Sequence, residues 1–159
     1  MNCELTTHFV DSSNKVSLPR EARLRLKFQY DAIRAHGTSA HGPLFRLSFL
    51  IPNQTLLSKF VNASKHPLQL QLLTSTTQCG IVVSKRVGSA VIRNKVKRRF
   101  REIYRCARSS LLPHLWLVLI ASPKSATASF QELEKEWLRL GKKLSIFAYQ
   151  PDVEKQTEG

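Results

Sequence analysis

"SKRVGSAVIRNKVKRRFREIYR", Ser84 to Arg105, carries nine basic side chains in twenty-two residues and a single acid, Glu102. The same stretch is threaded with apolar residues at helical spacing. With Ile92 set at zero and roughly 100° of turn per residue, Ile92, Ile103, Val96, Ala107 and Phe100 fall within roughly an 80° arc. Arg93, Asn94, Lys97, Arg98, Arg101, Arg105 and Arg108 occupy the far side, while Tyr104 stands at its edge, placed for packing or for contact with a ligand. Such a helix requires an apolar surface beneath it and an anionic one above it. Like charges at i and i+4 cost about 0.2–0.5 kcal/mol per pair, and Arg93/Lys97, Lys97/Arg101 and Arg101/Arg105 are three such pairs. A merely solvated face mixes signs. This one does not, and it reads as a surface for a polyanion.

Working outward, "CGIVVSK" before the helix and "LWLVLIAS" after it are both apolar runs rich in β-branched or large residues, the pattern of buried strands. Strand, helix, strand implies a parallel pair joined by the basic helix. Upstream, "PLFRLSFLI" alternates, with Phe45, Leu47, Phe49 and Ile51 on one side and Arg46 and Ser48 on the other, a half-buried strand. In "LPREARLRLKFQYDAIRAHG", Phe28, Ala32 and Ile33 share one side of a short helix, Tyr30 lies on another, and Gly37 is the stop signal. Downstream, Ser129 and Glu132 form a capping box ahead of Phe130, Leu133, Trp137, Leu140, Leu144 and Phe147, spaced at three and four. The expected class is α+β, one small mixed sheet with packed helices including the basic crossover helix. Residues 17–148 form the domain, 1–16 and 149–159 are tails, and 52–78 is an inserted excursion, with one turn of helix and a strand around "LQLQLL".

A chain of 159 residues with 42% hydrophobic content supports one core. Its formal charge of +14 says little about fold and much about partners, and the stretch from Lys85 to Arg108, ten basic residues against one acid, supplies +9 of it. A membrane-surface helix would need its apolar face free, and the sheet claims that face. No apolar run is long enough to span a bilayer and no segment resembles a signal peptide, so a cytoplasmic location without a membrane partner is expected. Cys3, Cys79 and Cys106 form neither a disulfide framework nor a metal pair; Cys79 and Cys106 read as structural thiols. A helix-turn-helix is excluded because strands flank the helix on both sides. Lys85 and Arg86 precede its N-terminus, where free backbone N–H groups favour phosphate. Asn94 offers a neutral oxygen for a hydrogen bond or a hydrated metal, though a plain surface role fits it equally well.

The stretch from Ser84 to Arg105 resembles the signature of the bacterial ribonuclease P protein family, and the resemblance extends over about residues 24 to 147. It implies an α+β fold with a left-handed crossover, against the usual right-handed preference. It implies an RNA-binding subunit that assists a catalytic RNA subunit in magnesium-dependent removal of the 5′ leader from precursor tRNA, with the magnesium held mainly by that RNA and no protein side chain catalytic. By position, Lys85, Arg86, Arg93, Asn94, Lys95, Lys97, Arg98, Arg101 and Arg105 would contact RNA, and Asn94 would help bind a metal ion. Lys95 stands where the family usually has arginine, which keeps the charge but loses bidentate phosphate contact. Tyr30, Arg34, Arg46 and Ser48 would line the leader cleft. Arg34 and Ser48 stand where aromatics are common, leaving base stacking to Tyr30 with Arg34 stacking through its guanidinium plane. No obligate protein partner is implied.

Two rivals remain at this level, a general RNA-binding or ribosomal protein and a nuclease acting without RNA. The second needs clustered carboxylates or histidines. Glu132, Glu134 and Glu136 fit a helix start better, and His8, His36, His41, His66 and His114 show no ligand spacing. Trp116 and Trp137 fit apolar periodicities and read as core.

Overall fold

A computed structural model describes residues 18–63 and 76–148. The expected tails and the "LQLQLL" strand therefore lie outside the described residues. Among those described, four strands form one sheet, β1 (Thr38–His41), β2 (Phe45–Leu50), β3 (Gln78–Val82) and β4 (Trp116–Ala121). The spatial order is β1-β2-β4-β3. The first three in that order pair antiparallel, and β3 joins β4 in parallel, Gln78 opposite Trp116 and Val82 opposite Ile120. The helices are α1 (Lys27–His36), α2 (Gln54–Ala63), α3 (Ala90–Ala107) and α4 (Phe130–Leu144). The α+β class and the parallel pair linked by the basic helix are as the sequence implies. The excursion holds a longer helix than the single turn expected.

Alternation in the strands divides the molecule into two apolar layers. Phe45, Leu47, Leu117 and Leu119 point to one face and pack with Val96, Phe100 and Ile103 of α3 and Leu133, Trp137 and Leu140 of α4. Phe45 and Phe100 meet edge to face at 5.1 Å, the favoured geometry of paired rings. Trp116 and Val118 point to the other face and pack with Ala32 and Ile33 of α1, flanked by Phe28, Leu56 and Leu57. Both tryptophans are core, as their spacing implies. Because α1 covers this second face, Ser48 is not outward: it is 5% exposed and shares a 2.9 Å hydrogen bond with the Ser39 hydroxyl. Ile51 is not inward either, since β2 ends at Leu50 and leaves it exposed.

Local chemistry sets the helix ends. The Ser129 hydroxyl accepts from the Glu132 N–H at 3.1 Å, and the Glu132 carboxylate accepts from the Ser129 N–H at 2.7 Å, the reciprocal capping box. In α1 the Gln29 amide oxygen turns back to accept from the Arg25 and Leu26 N–H groups, while its nitrogen donates to the buried Gln78 side chain at 2.6 Å. Gln78 in turn donates to the Glu21 carbonyl. This buried amide chain registers the start of α1 against β3 with its polar atoms satisfied. Gly37 ends α1 in extended backbone, and a Cβ there would lie 2.4 Å from the Ile33 carbonyl oxygen.

Candidate nucleic-acid interface

The basic helix is fastened along one side. Val96, Phe100, Ile103 and Tyr104 are all buried. The arc is rotated from the one expected, for two reasons. Ile92 sits in the first turn, over the short turn Lys85–Val87 rather than the core, and is 37% exposed beside Gly88. Tyr104 is fully buried, and its hydroxyl donates to the Thr77 carbonyl at 2.8 Å, so it serves packing. Burial holds its phenol pKa far above the ordinary value. The rotation leaves Cys106 exposed, next to Glu102 and Arg105, rather than the structural thiol expected. Cys79 is buried in the core, and its thiol pKa is pushed well up by burial.

The other side of α3 carries the cations. Lys85 and Arg86 precede it; Asn94, Lys95, Arg98, Arg101 and Arg105 are exposed; Arg93, Lys97 and Arg108 are half-buried. Ser89 caps the helix by accepting from the Ile92 N–H. Arg93 Nε is shielded from solvent without a hydrogen-bond partner, a donor that an external acceptor would satisfy. Arg99, which the spacing does not assign, donates to the Ala128 carbonyl and ties α3 to the start of α4. Arg105 is already engaged: Nε and Nη2 donate to the Glu102 carboxylate at 3.0 and 2.6 Å. That bidentate bond, one turn along the helix, holds the Glu102 pKa below the usual carboxylate value. Around Asn94 the neighbouring turns supply cations, and the acid of α3 is committed to Arg105. A protein-held magnesium ion prefers carboxylate oxygen, so these side chains do not fit one. Among the described residues no three His, Cys, Asp or Glu side chains gather as a metal site, and no helix is long and apolar enough to cross a membrane.

A second surface lies on the α1 side of the sheet, where α1 leaves it uncovered. Register lines up His41, Arg46, Ile120 and Val82 across all four strands on one face. Ile120 and Val82 are 36% and 39% exposed; sequence reasoning gave neither a role, because an apolar residue in a strand carries no mark of being left uncovered. Arg46 Nη2 donates to the Ser39 hydroxyl at 3.0 Å, so Arg46, Ser39 and Ser48 form one polar chain in which Ser48 supports from beneath. Tyr30 borders this surface. It lies over Gly80, where a Cβ would be 2.5 Å from its hydroxyl, and it donates to the Leu24 carbonyl at 3.2 Å. Half-burial raises its pKa, so the ring stays neutral. Arg34 is exposed on α1.

The two surfaces meet at the β3 edge. There a cavity of about 190 Å³ is bordered by Tyr30 and Gly80 on one side and by Lys97 and Arg101 of α3 on the other. The structure thus brings Tyr30, Lys97 and Arg101 together and sets Arg46 apart on the open sheet.

Comparison with known proteins gives the family and the fold. The family model described as Ribonuclease P matches residues 18–145. The ribonuclease P protein component of Thermus scotoductus is 47% identical over 75 residues, 47% of this chain and 44% of that one. The Streptococcus pneumoniae component is 34% identical over 101 residues, 64% of this chain and 82% of that one. The matched stretch therefore spans less than half of the Thermus relative. In fold, the solved Staphylococcus aureus RNase P protein superposes with a TM-score of 0.61 at 21% identity, covering 79% of this chain and 97% of that one.

Proposed function

The chain belongs to the ribonuclease P protein family, and from that premise we propose that it is the RNA-binding subunit of a ribonucleoprotein endonuclease in the cytoplasm. Its catalytic partner is an RNA subunit, its substrate is precursor tRNA, and the reaction is hydrolytic removal of the 5′ leader. The observation that carries this reading is a helix buried along one side and cationic along the other, with Arg93, Lys95, Lys97, Arg98 and Arg101 making no ion pair with an acid among the described residues. Each phosphate neutralised by such a row releases counterions, which makes affinity salt-dependent. Lys85 and Arg86 extend the row past the helix start, and Asn94 contributes an amide to the same contact.

The leader lies along the open sheet. Tyr30 supplies a neutral ring for a base to stack on, Arg34 a guanidinium plane, and Arg46 a charge for the backbone. Catalytic magnesium is held by the RNA. The protein lowers the magnesium requirement, because its cations relieve the repulsion between two polyanions that magnesium would otherwise have to screen.

Reconstitution tests the proposal. At low magnesium the protein raises cleavage of precursor tRNA by its RNA subunit, and the complex binds precursor more tightly than mature tRNA. Enhancement absent at low magnesium counts against the reading. Equal affinity for long and trimmed leaders points instead to a general RNA-binding protein, and cleavage by protein freed of RNA to a nuclease in its own right.

A further inference from the structure

The cavity at the β3 edge has a third cation that neither surface accounts for. Arg23 lines it together with Lys97 and Arg101, and among the described residues no acid lines it. The backbone at Arg23 is fixed: it bridges in parallel to Cys79, and the next N–H, of Leu24, donates to the Cys79 carbonyl at 3.1 Å. Its side chain is fixed at one nitrogen, Nε donating to the Leu18 carbonyl at 3.0 Å. Among the described residues its two Nη groups have no partner. A guanidinium anchored by Nε with its Nη pair uncommitted is preorganised for an anion, since little side-chain entropy is left to lose. Three cations around one small space repel one another unless an anion enters. One wall is formed by Tyr30, which packs over Gly80.

We propose that Arg23 is a third phosphate ligand, and that this cavity takes one RNA phosphodiester held between Arg23, from the segment before α1, and Lys97 and Arg101 of α3. The inference rests on the RNA-binding reading above. It makes the cavity the joint between the two RNA surfaces, and the phosphate comes either from the leader or from the RNA subunit.

The test is the slope of log affinity against log salt, measured on the RNA subunit alone and on the reconstituted complex with long- and trimmed-leader precursor. Arg23→Gln keeps an N–H donor for the Leu18 carbonyl and removes the charge; Arg23→Lys keeps the charge. The expected result is a slope smaller by about 0.7 for Arg23→Gln and unchanged for Arg23→Lys. Over a fivefold salt range, that change is about a threefold difference in affinity. Loss with the RNA subunit alone assigns the phosphate to it; loss only with the long leader assigns it to the leader. Arg98→Ala runs in parallel. If it lowers the slope while Arg23→Gln changes nothing in any arm, the clamp is overturned and the RNA-binding reading stands; if neither changes it, the reading falls too. Should Arg23→Gln fail to fold, phenylglyoxal footprinting of the unaltered protein decides: Arg23 is protected in the full complex, and its remaining reactive while Arg98 is protected overturns the clamp.

Discussion

Arg101→Ala separates a charge kept for binding from one kept for stability. Arg101 is exposed, with Lys97 one turn before it and Arg105 one turn after. The Arg105 charge is largely offset by Glu102 at 2.6 Å, so within the helix the Lys97 pair dominates the repulsion that the substitution relieves, and Arg23 across the cavity adds to it. That pair is worth about 0.2–0.5 kcal/mol, and alanine adds a further ~0.2 kcal/mol of helix propensity. The free protein should therefore gain about 0.5 kcal/mol, or about 1–2 °C in Tm for a chain of this size. Differential scanning fluorimetry at low salt reads the gain. Most of it should vanish at 1 M salt, where the screening length shrinks to about 3 Å. The same variant should lose affinity for the RNA subunit, with a salt slope smaller by about 0.7–0.9. A fall in Tm of more than about 2 °C would show that the Arg101 side chain holds the fold together, and the reasoning would be refuted.

Ile103→Asp should do the reverse of Arg101→Ala: it sets an unpaired charge among Val96, Phe100 and the sheet, a cost of several kcal/mol against a total stability of about 5–15, so thermal unfolding loses its cooperative transition. In the folded protein a maleimide followed by peptide mapping should label Cys106 and spare Cys79, which becomes reactive only in denaturant. Glu132, whose pKa is lowered from the ordinary 4.5 by accepting from the Ser129 N–H, contributes stability that is present above the unfolded value and lost as pH falls through the folded one. The stability difference between the unaltered protein and Glu132→Gln should thus be constant above about pH 5.5 and close as pH is lowered further, as followed by urea titration.

What could be read from the sequence was the periodic part. The α3 stripe, the apolar run of β4 and the Ser129–Glu132 box each express one local rule that tertiary structure did not override. What could not be read depended on where elements meet. Helical spacing gives a stripe but not the point at which the sheet begins beneath it, so it puts Ile92 inside and Tyr104 at the edge, whereas Ile92 is exposed and Tyr104 buried. Alternation in β2 gives two sides but not that α1 covers the second, which is why Ser48 is buried. Val82 and Ile120 are exposed because α1 packs over Trp116 and Val118 instead, and no property of either residue announces it. Spacing makes Glu102 the relief for the row but does not say for which cation, since Arg99 and Arg105 both lie three residues from it and only the fold gives it to Arg105. Arg23 lay in an unassigned basic segment, and only the fold of that segment against β3 brings it to α3.

Photo-crosslinking from positions 30 and 98, in the assembled complex of protein, RNA subunit and precursor tRNA, tests the central claim most directly. The account predicts that position 98 joins to the RNA subunit and position 30 to the 5′ leader, with no crosslink from position 131 on the exposed side of α4. Crosslinks from position 131 with none from 98 would contradict it, because RNA would then be held by a surface other than the cationic side of α3.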